Sequence, residues 1–318
     1  MKKILALLLT LCLAPAWAQP APASGVQAVD QLWTDGARQR EVPVRLRVPA
    51  GAGPFPVILF SHGLGGSRNA GARWGDYWAA HGYLVVNLQH AGSDEAIWKG
   101  KLFGAMGRAR DAMSAENAQL RTGDVSFVLD ELERRRATGD ALLVRADLRH
   151  IGLSGHSFGA QTTLSVAGEH GAFTQGRADP RIRAAIAMSP AARGTEGGMA
   201  RQFADIRIPF MSLTGTRDTV SLTPQITPEN RRLPYKYMPG PDKYLLVLDG
   251  ANHMVYGGQP ELRSWTPQNT QVHAPLIEEV SLDFWDAYLK GDAKARAALA
   301  ANGAFSQDLG SKGEWFAK

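Results

Sequence analysis

Six short apolar runs, none alternating with polar residues, punctuate the 318-residue chain. They are PVILF (56–60), YLVVNL (83–88), HIGL (150–153), AAIAM (184–188), PFMSLTG (209–215) and YLLVLDG (244–250). A strand with one wet face alternates, whereas an unbroken run suits a strand covered on both faces. Helical patterns lie between several of the runs. GARWGDYWAAHG puts Trp74, Tyr77, Trp78 and His81 at helical spacing. DVSFVLDELERRR places Val125, Val128, Leu129 and Leu132 on one stripe. It ends in arginines, which suit the negative end of a helix. APLIEEVSLDFWDAYLKG is a third amphipathic segment, stopping at Gly291. Strand–helix–strand alternation predicts an α/β fold with a mainly parallel central sheet and helices on both faces. Ahead of it, REVPVRLRV does alternate, with Val42, Val44, Leu46 and Val48 on one face. Pro43 lacks an N–H donor, so this segment reads as an antiparallel strand near an edge.

Two stretches escape the alternation. Residues 91–120 mix glycines, methionines and charges and read as a small helical cap. Residues 220–242 carry five prolines and no periodicity, which predicts a long surface loop. Residues 19–30, QPAPASGVQAVD, read as a flexible leader. Residues 19–318 are otherwise expected to form a single domain, with no repeat or linker.

The first residues read as an export signal. MKK gives a positive start, ILALLLTLCLAPAW a short apolar run, and Ala16 and Ala18 the small residues of a cleavage site. The run is short for a bilayer span, so cleavage after residue 18 is expected to leave no integral membrane segment. That predicts a periplasmic or secreted protein. Cys12, the single cysteine, leaves with the signal, so neither a thiol nucleophile nor a disulfide is expected. The formal charge is only +5 and the arginines are scattered, which argues against nucleic acid as a partner.

HIGLSGHSFGAQTT (150–163) holds the chemistry. Gly155 and Gly159 flank Ser157 as G-x-S-x-G, after a buried strand and before a helical segment. This is the pattern of a nucleophile elbow, where a serine sits on a strained strand-to-helix turn and any neighbouring Cβ would collide. A serine hydroxyl also needs a base and an acid that orients the base. In this topology they follow in the order Ser, acid, His. PFMSLTGTRDTV offers Asp218 after a strand, and YLLVLDGANHMVYGG offers His253 after another. Asp205 precedes its strand, Asp249 ends the strand that leads to His253, and His273 sits before a helix. The set favoured is therefore Ser157, Asp218 and His253. Backbone donors for an oxyanion are expected from Leu64, in HGLGG after the first unbroken run, and from Phe158, the residue after the serine.

These motifs resemble the α/β-hydrolase fold. SHGLGG with GHSFGA is similar to the plasma-type platelet-activating-factor acetylhydrolases and their bacterial relatives called dienelactone hydrolases, and also to cutinase-like polyester hydrolases. The resemblance implies the same triad and oxyanion donors, and a serine carboxylic-ester hydrolase that needs no cofactor. Its substrate would be a small-molecule or lipid ester. Lipase, phospholipid-acetyl hydrolase and polyester hydrolase are the neighbouring readings; a peptidase and a non-catalytic binding protein are the more distant ones. The chain departs from the pattern in three places. True dienelactone hydrolases use Cys where Ser157 stands, cutinase-like enzymes carry a C-terminal disulfide, and Ala160 stands where a third glycine is common. His90 and Trp98 are the candidate substrate contacts. Trp74 and Trp78 are expected in the core, and His156 is expected to point away from Ser157 and pack. No cluster has metal-ligand spacing.

Overall fold

The six unbroken runs become six parallel strands of one nine-stranded sheet. The structure is a computed structural model that describes residues 25–318 apart from 101–103, 172–173, 176–177, 195 and 259–266. The main-sheet strands are β1 (Val26–Asp35), β2 (Arg40–Pro49), β3 (Phe55–Ser61), β4 (Leu84–Leu88), β5 (Ala146–His156), β6 (Ile182–Met188), β7 (Phe210–Arg217), β8 (Lys243–Asn252) and β9 (Gly313–Ala317). Their order across the sheet is β1-β2-β4-β3-β5-β6-β7-β8-β9. β2 runs antiparallel to both β1 and β4, and β9 runs antiparallel to β8. The proposed signal segment and its cleavage point lie outside the described residues.

Period two along the parallel strands divides the core. Ile58 and Phe60 of β3 face Trp74 and Trp78 of α1 (Ala72–Ala80) and Phe284 and Trp285 of α5 (Pro267–Trp285). Val57 and Leu59 face the opposite way, toward Val125, Val128, Leu129 and Leu132 of α3 (Ala115–Ala137). Farther along that second face, Ala185 and Ala187 of β6 pack on Ala160 and Leu164 of α4 (Phe158–Val166). Helices therefore cover both faces, and the strands between them are dry, which is why their sequences do not alternate.

Three readings change. Residues 26–30 of the supposed leader belong to β1, paired with β2 from Val26 opposite Pro49 to Asp35 opposite Arg40. Its polar residues face solvent at the sheet edge, so hydropathy alone hid it; Asp35-Gly36 at the hairpin was the overlooked signal. β9, five residues of GEWFA, is too short to show a period. The cap is also smaller than read. It consists of a turn at Glu95–Trp98 and α2 (Ala105–Ala112), because Ser114 caps α3 by accepting from Asn117 N–H at 3.1 Å. Residues 115–120 are thus the first turns of the long helix.

Candidate active site

β5 ends at His156, and the chain turns at Ser157 with φ 57° and ψ −113° before α4 begins. That left-handed region is costly for a side-chain-bearing residue, about 1–3 kcal/mol, and persists only where the surroundings enforce it. Here they do. The Ser157 N–H donates to Met188 O at the end of β6 (2.9 Å). A Cβ on Gly155 would lie 2.3 Å from Gly159 O, and one on Gly159 would lie 1.9 Å from Ser61 O. Both flanking glycines are thus required by backbone, not by side chains that could move aside.

Asp218 follows β7 directly, and His253 follows β8 as the first residue of a 3-10 turn (His253–Gly257). Asn252 caps that turn by accepting from the Met254 and Val255 N–H groups. His253 Nδ1–H donates to Asp218 Oδ1 at 2.7 Å. With the proton on Nδ1, Nε2 is the free acceptor of the neutral ring. Asp218 is fully buried. Its Oδ2 accepts from Thr214 Oγ1 (2.9 Å), and Arg231 Nε lies 2.9 Å from both its Oδ1 and its carbonyl oxygen. Burial alone would push the Asp218 carboxyl up; the His253 hydrogen bond and the Arg231 charge outweigh it and hold the group below its ordinary value.

The alternatives weighed from sequence sit elsewhere. Asp205 pairs with His170 at the surface, Asp249 Oδ1 accepts from Thr216 Oγ1 (3.1 Å), and His273 Nε2 donates to Asp249 O (2.8 Å).

The HGLGG loop leaves β3 and packs against the elbow: a Cβ on Gly63 would be 3.4 Å from Ser157 Cβ. Neighbouring amides are already engaged, Gly65 N–H by Ser93 O (2.9 Å) and Gly66 N–H by Gly63 O (3.1 Å). The Leu64 N–H and Phe158 N–H have no acceptor among the described residues.

Ser157, His253, Leu64 and Phe158 open on one cavity of about 610 Å³. Its walls are largely apolar: Met106, Ala109 and Met113 from the cap, Leu222 and Ile226 from the proline-rich loop, and Met254 beside His253. Trp98 also lines it, held by its Nε1–H donating to Gly65 O at 2.9 Å. His90 does not line it. The ring is fully buried behind the loop, with Nδ1–H donating to Asp124 Oδ2 and Nε2 accepting from Ser61 Oγ, both at 2.9 Å. The strand end that suggested His90 as a substrate contact points it away from the cavity.

One residue and one contact escaped the sequence reading. Arg231, within the proline-rich loop, pairs with the acid. His156 is buried and packs as expected, but its partner is the candidate base: its Nε2–H donates to His253 O at 2.9 Å, and the two rings lie 4.6 Å apart. Burial and the adjacent His253 push the His156 ring down to about 3, so it stays neutral. No local pattern marks either contact, since the partners lie 13 and 97 positions away.

Among the described residues no group of three His, Cys, Asp or Glu could hold a metal, and no helix is long and apolar enough to cross a membrane. No curated protein matches the chain. Residues 37–109 match the family model for platelet-activating factor acetylhydrolase, isoform II. The match spans β2, β3, the HGLGG loop, α1, β4 and the cap, and ends before Ser157. It supports the resemblance carried by the two glycine motifs, and with the mixed sheet flanked by helices it points to an α/β-hydrolase fold and an ester hydrolase.

Proposed function

We propose that the protein is a serine carboxylic-ester hydrolase working through an acyl-enzyme, with Ser157, His253 and Asp218 as its triad. The observation that carries this is a serine on a strained elbow opening on the same apolar cavity as a histidine whose Nδ1 is held by a buried carboxylate. Ser157 Oγ attacks the ester carbonyl while His253 Nε2 accepts its proton. Asp218 keeps the ring in that tautomer and stabilises the imidazolium. The tetrahedral oxyanion takes hydrogen bonds from the Leu64 and Phe158 N–H groups, a pair of donors each worth roughly 3 kcal/mol in reactions of this kind. His253 returns the proton to the leaving alkoxide. Water, activated by the same base, then releases the acid and restores Ser157 Oγ–H.

The apolar cavity favours acyl esters over peptides and suits a lipid or other hydrophobic ester. A polyester or phospholipid substrate belongs to the same chemistry. The export signal read at residues 1–18 would put this activity in the periplasm or the medium, and the mass of the mature N-terminus tests that. The central test is hydrolysis of p-nitrophenyl esters from acetate to long acyl chains by the wild type and Ser157→Ala. Activity that drops by about 10⁴ or more in the variant is expected. Equal rates in the two proteins would refute the assignment, and the chain-length profile separates esterase from lipase.

A further inference from the structure

Arg121, at the end of the second turn of α3, is fully buried, yet it forms no salt bridge with any carboxylate among the described residues. Its hydrogen bonds go to neutral groups on three separate segments. Nη1 donates to Ser93 Oγ (2.9 Å), and Nη2 donates to Ser61 Oγ (3.0 Å) and to the carbonyl oxygen of His62. Nε donates to Thr162 Oγ1 (3.0 Å) on α4, and the guanidinium lies 4.6 Å from the Phe158 ring centroid. The Asp124 and Asp94 carboxylates offset part of the cost of burying this cation without forming a direct ion pair, so a chain that needed only packing would be better served by an apolar residue.

The loop side of this cluster controls one amide. The Gly63–Leu64 peptide is trans and planar, so its N–H points opposite to its C=O. Gly63 O is fixed by the His62 Nδ1–H (2.5 Å) and by the Gly66 N–H (3.1 Å). The His62 ring is fixed in turn, because its Nε2 accepts the His90 N–H at 3.0 Å. Arg121 holds the carbonyl of the same His62, and through Ser93 it holds the residue whose carbonyl takes the Gly65 N–H. The elbow side holds the residue that carries the other amide, and Ser157 O, in the same peptide as the Phe158 N–H, accepts from the Gln161 N–H at 3.1 Å. Thr162 Oγ1 donates to Phe158 O at 3.1 Å while accepting from Arg121.

We propose that Arg121 is a positioning residue for the oxyanion site: one guanidinium ties the loop carrying the Leu64 N–H to the helical turn carrying the Phe158 N–H, so that the two donors keep a common focus. His62 relays this constraint on the loop side. Arg121 itself touches neither substrate nor Ser157. The inference rests on the ester-hydrolase reading above.

The test compares wild type with Arg121→Lys, which keeps the charge but not the fork. Ser93→Ala and Thr162→Val, each releasing the guanidinium from one side, keep the test open if the arginine variant does not fold. Competent sites are counted by stoichiometric phosphonylation of Ser157 with a p-nitrophenyl phosphonate, which releases one p-nitrophenolate per site, so that rates are per folded site. For Arg121→Lys, kcat is expected to fall about 10- to 100-fold with KM changed less than three-fold. The ratio of rates on an ester and its thionoester should also change, since sulfur and oxygen anions differ in their demand on those donors. Smaller changes of the same sign are expected for Ser93→Ala and Thr162→Val. Wild-type kcat per titrated site and an unchanged ratio in these variants would overturn the proposal, even with a lowered Tm. Absence of ester turnover in the wild type would instead remove the hydrolase reading, and this inference with it.

Discussion

Ser61, His90 and Asp124 repeat the atoms of the proposed triad. Ser61 Oγ donates to His90 Nε2 and His90 Nδ1–H donates to Asp124, each at 2.9 Å. Yet all three side chains are fully buried, so no substrate can reach Ser61. Burial and the Arg121 charge push His90 down to about 4, which makes it a poor base. The same three residue types do different work because one set faces a cavity and the other faces an arginine. Arg231 marks the opposite case, a cation placed on the acid of the open set. Arg231→Met should cost about ten-fold in kcat/KM, since Asp218 then holds the imidazole from a less fixed position. It should also raise the Asp218 pKa. A carboxyl held low contributes stability above its unfolded pKa and loses it as pH falls through the folded one. Without Arg231 that loss begins at higher pH, and the Tm difference from wild type should change between pH 3 and pH 6. A flat difference would refute it. Gly159→Ala is sharper: a methyl 1.9 Å from Ser61 O cannot be absorbed by backbone, so the elbow should fail to form and folded yield should collapse in circular dichroism.

At the scale of elements, legibility followed burial. The parallel strands were readable because both faces are dry, and the elbow because its glycines are dictated by local sterics. β1 was not, because it keeps polar residues toward water at the sheet edge and resembles a loop, and β9 was not, because five residues show no period. Ser157, Asp218 and His253 were proposed from strand ends and chain order. Arg121 and Arg231 were invisible, as was the partner of His156, since each acts through a group that only the fold brings near. β1 is nevertheless structural. Trp33 is buried in the α3-side core, and the Arg135 guanidinium lies 5.0 Å from its ring. Trp33→Ala should destabilise by about 3–5 kcal/mol, measured by urea unfolding; a loss under 1 kcal/mol would mean that β1 is dispensable. In the reading proposed above, the cap carries specificity instead. Met106 lines the cavity and is 56% exposed. Met106→Ser should leave Tm nearly unchanged and raise KM about three-fold for long acyl esters, with little effect on acetate. Equal effects across the chain-length series would remove the cap from acyl recognition.

Over the whole molecule, buried and half-buried carboxyls of opposite sense are expected to shape stability against pH. Asp218 and Asp124 are held low, because their hydrogen bonds and cationic neighbours outweigh burial, so both favour the fold as pH rises from acid. Glu169 works the other way. It lies beyond the end of α4, almost fully buried, and accepts from Gln202 Nε2 (2.7 Å) and from Gln161 Nε2. Burial lifts it from the ordinary 4.5 to about 7, against the partial opposition of Gln202, the Arg193 charge and Gln161. Asp283 is lifted to about 6, by burial first and then by Glu279 and Asp286. For a carboxyl raised in the folded state, the native protein holds the proton that the unfolded chain has released. Stability is therefore full below about pH 4.5 and declines as pH rises toward 7, by at most roughly 3 kcal/mol from Glu169. The opposing senses predict greatest stability on the acid side of neutrality. Glu169→Gln removes the titration while keeping the shape, and the Gln161 Oε1, which lacks a hydrogen-bond partner among the described residues, is available to the new amide donor. The variant should melt near the wild type at pH 4 and above it at pH 8, with the gap opening between pH 5 and 7. Scanning calorimetry across that range checks it. A gap independent of pH would show that Glu169 is ionised at no extra cost, with its hydrogen bonds fully offsetting burial.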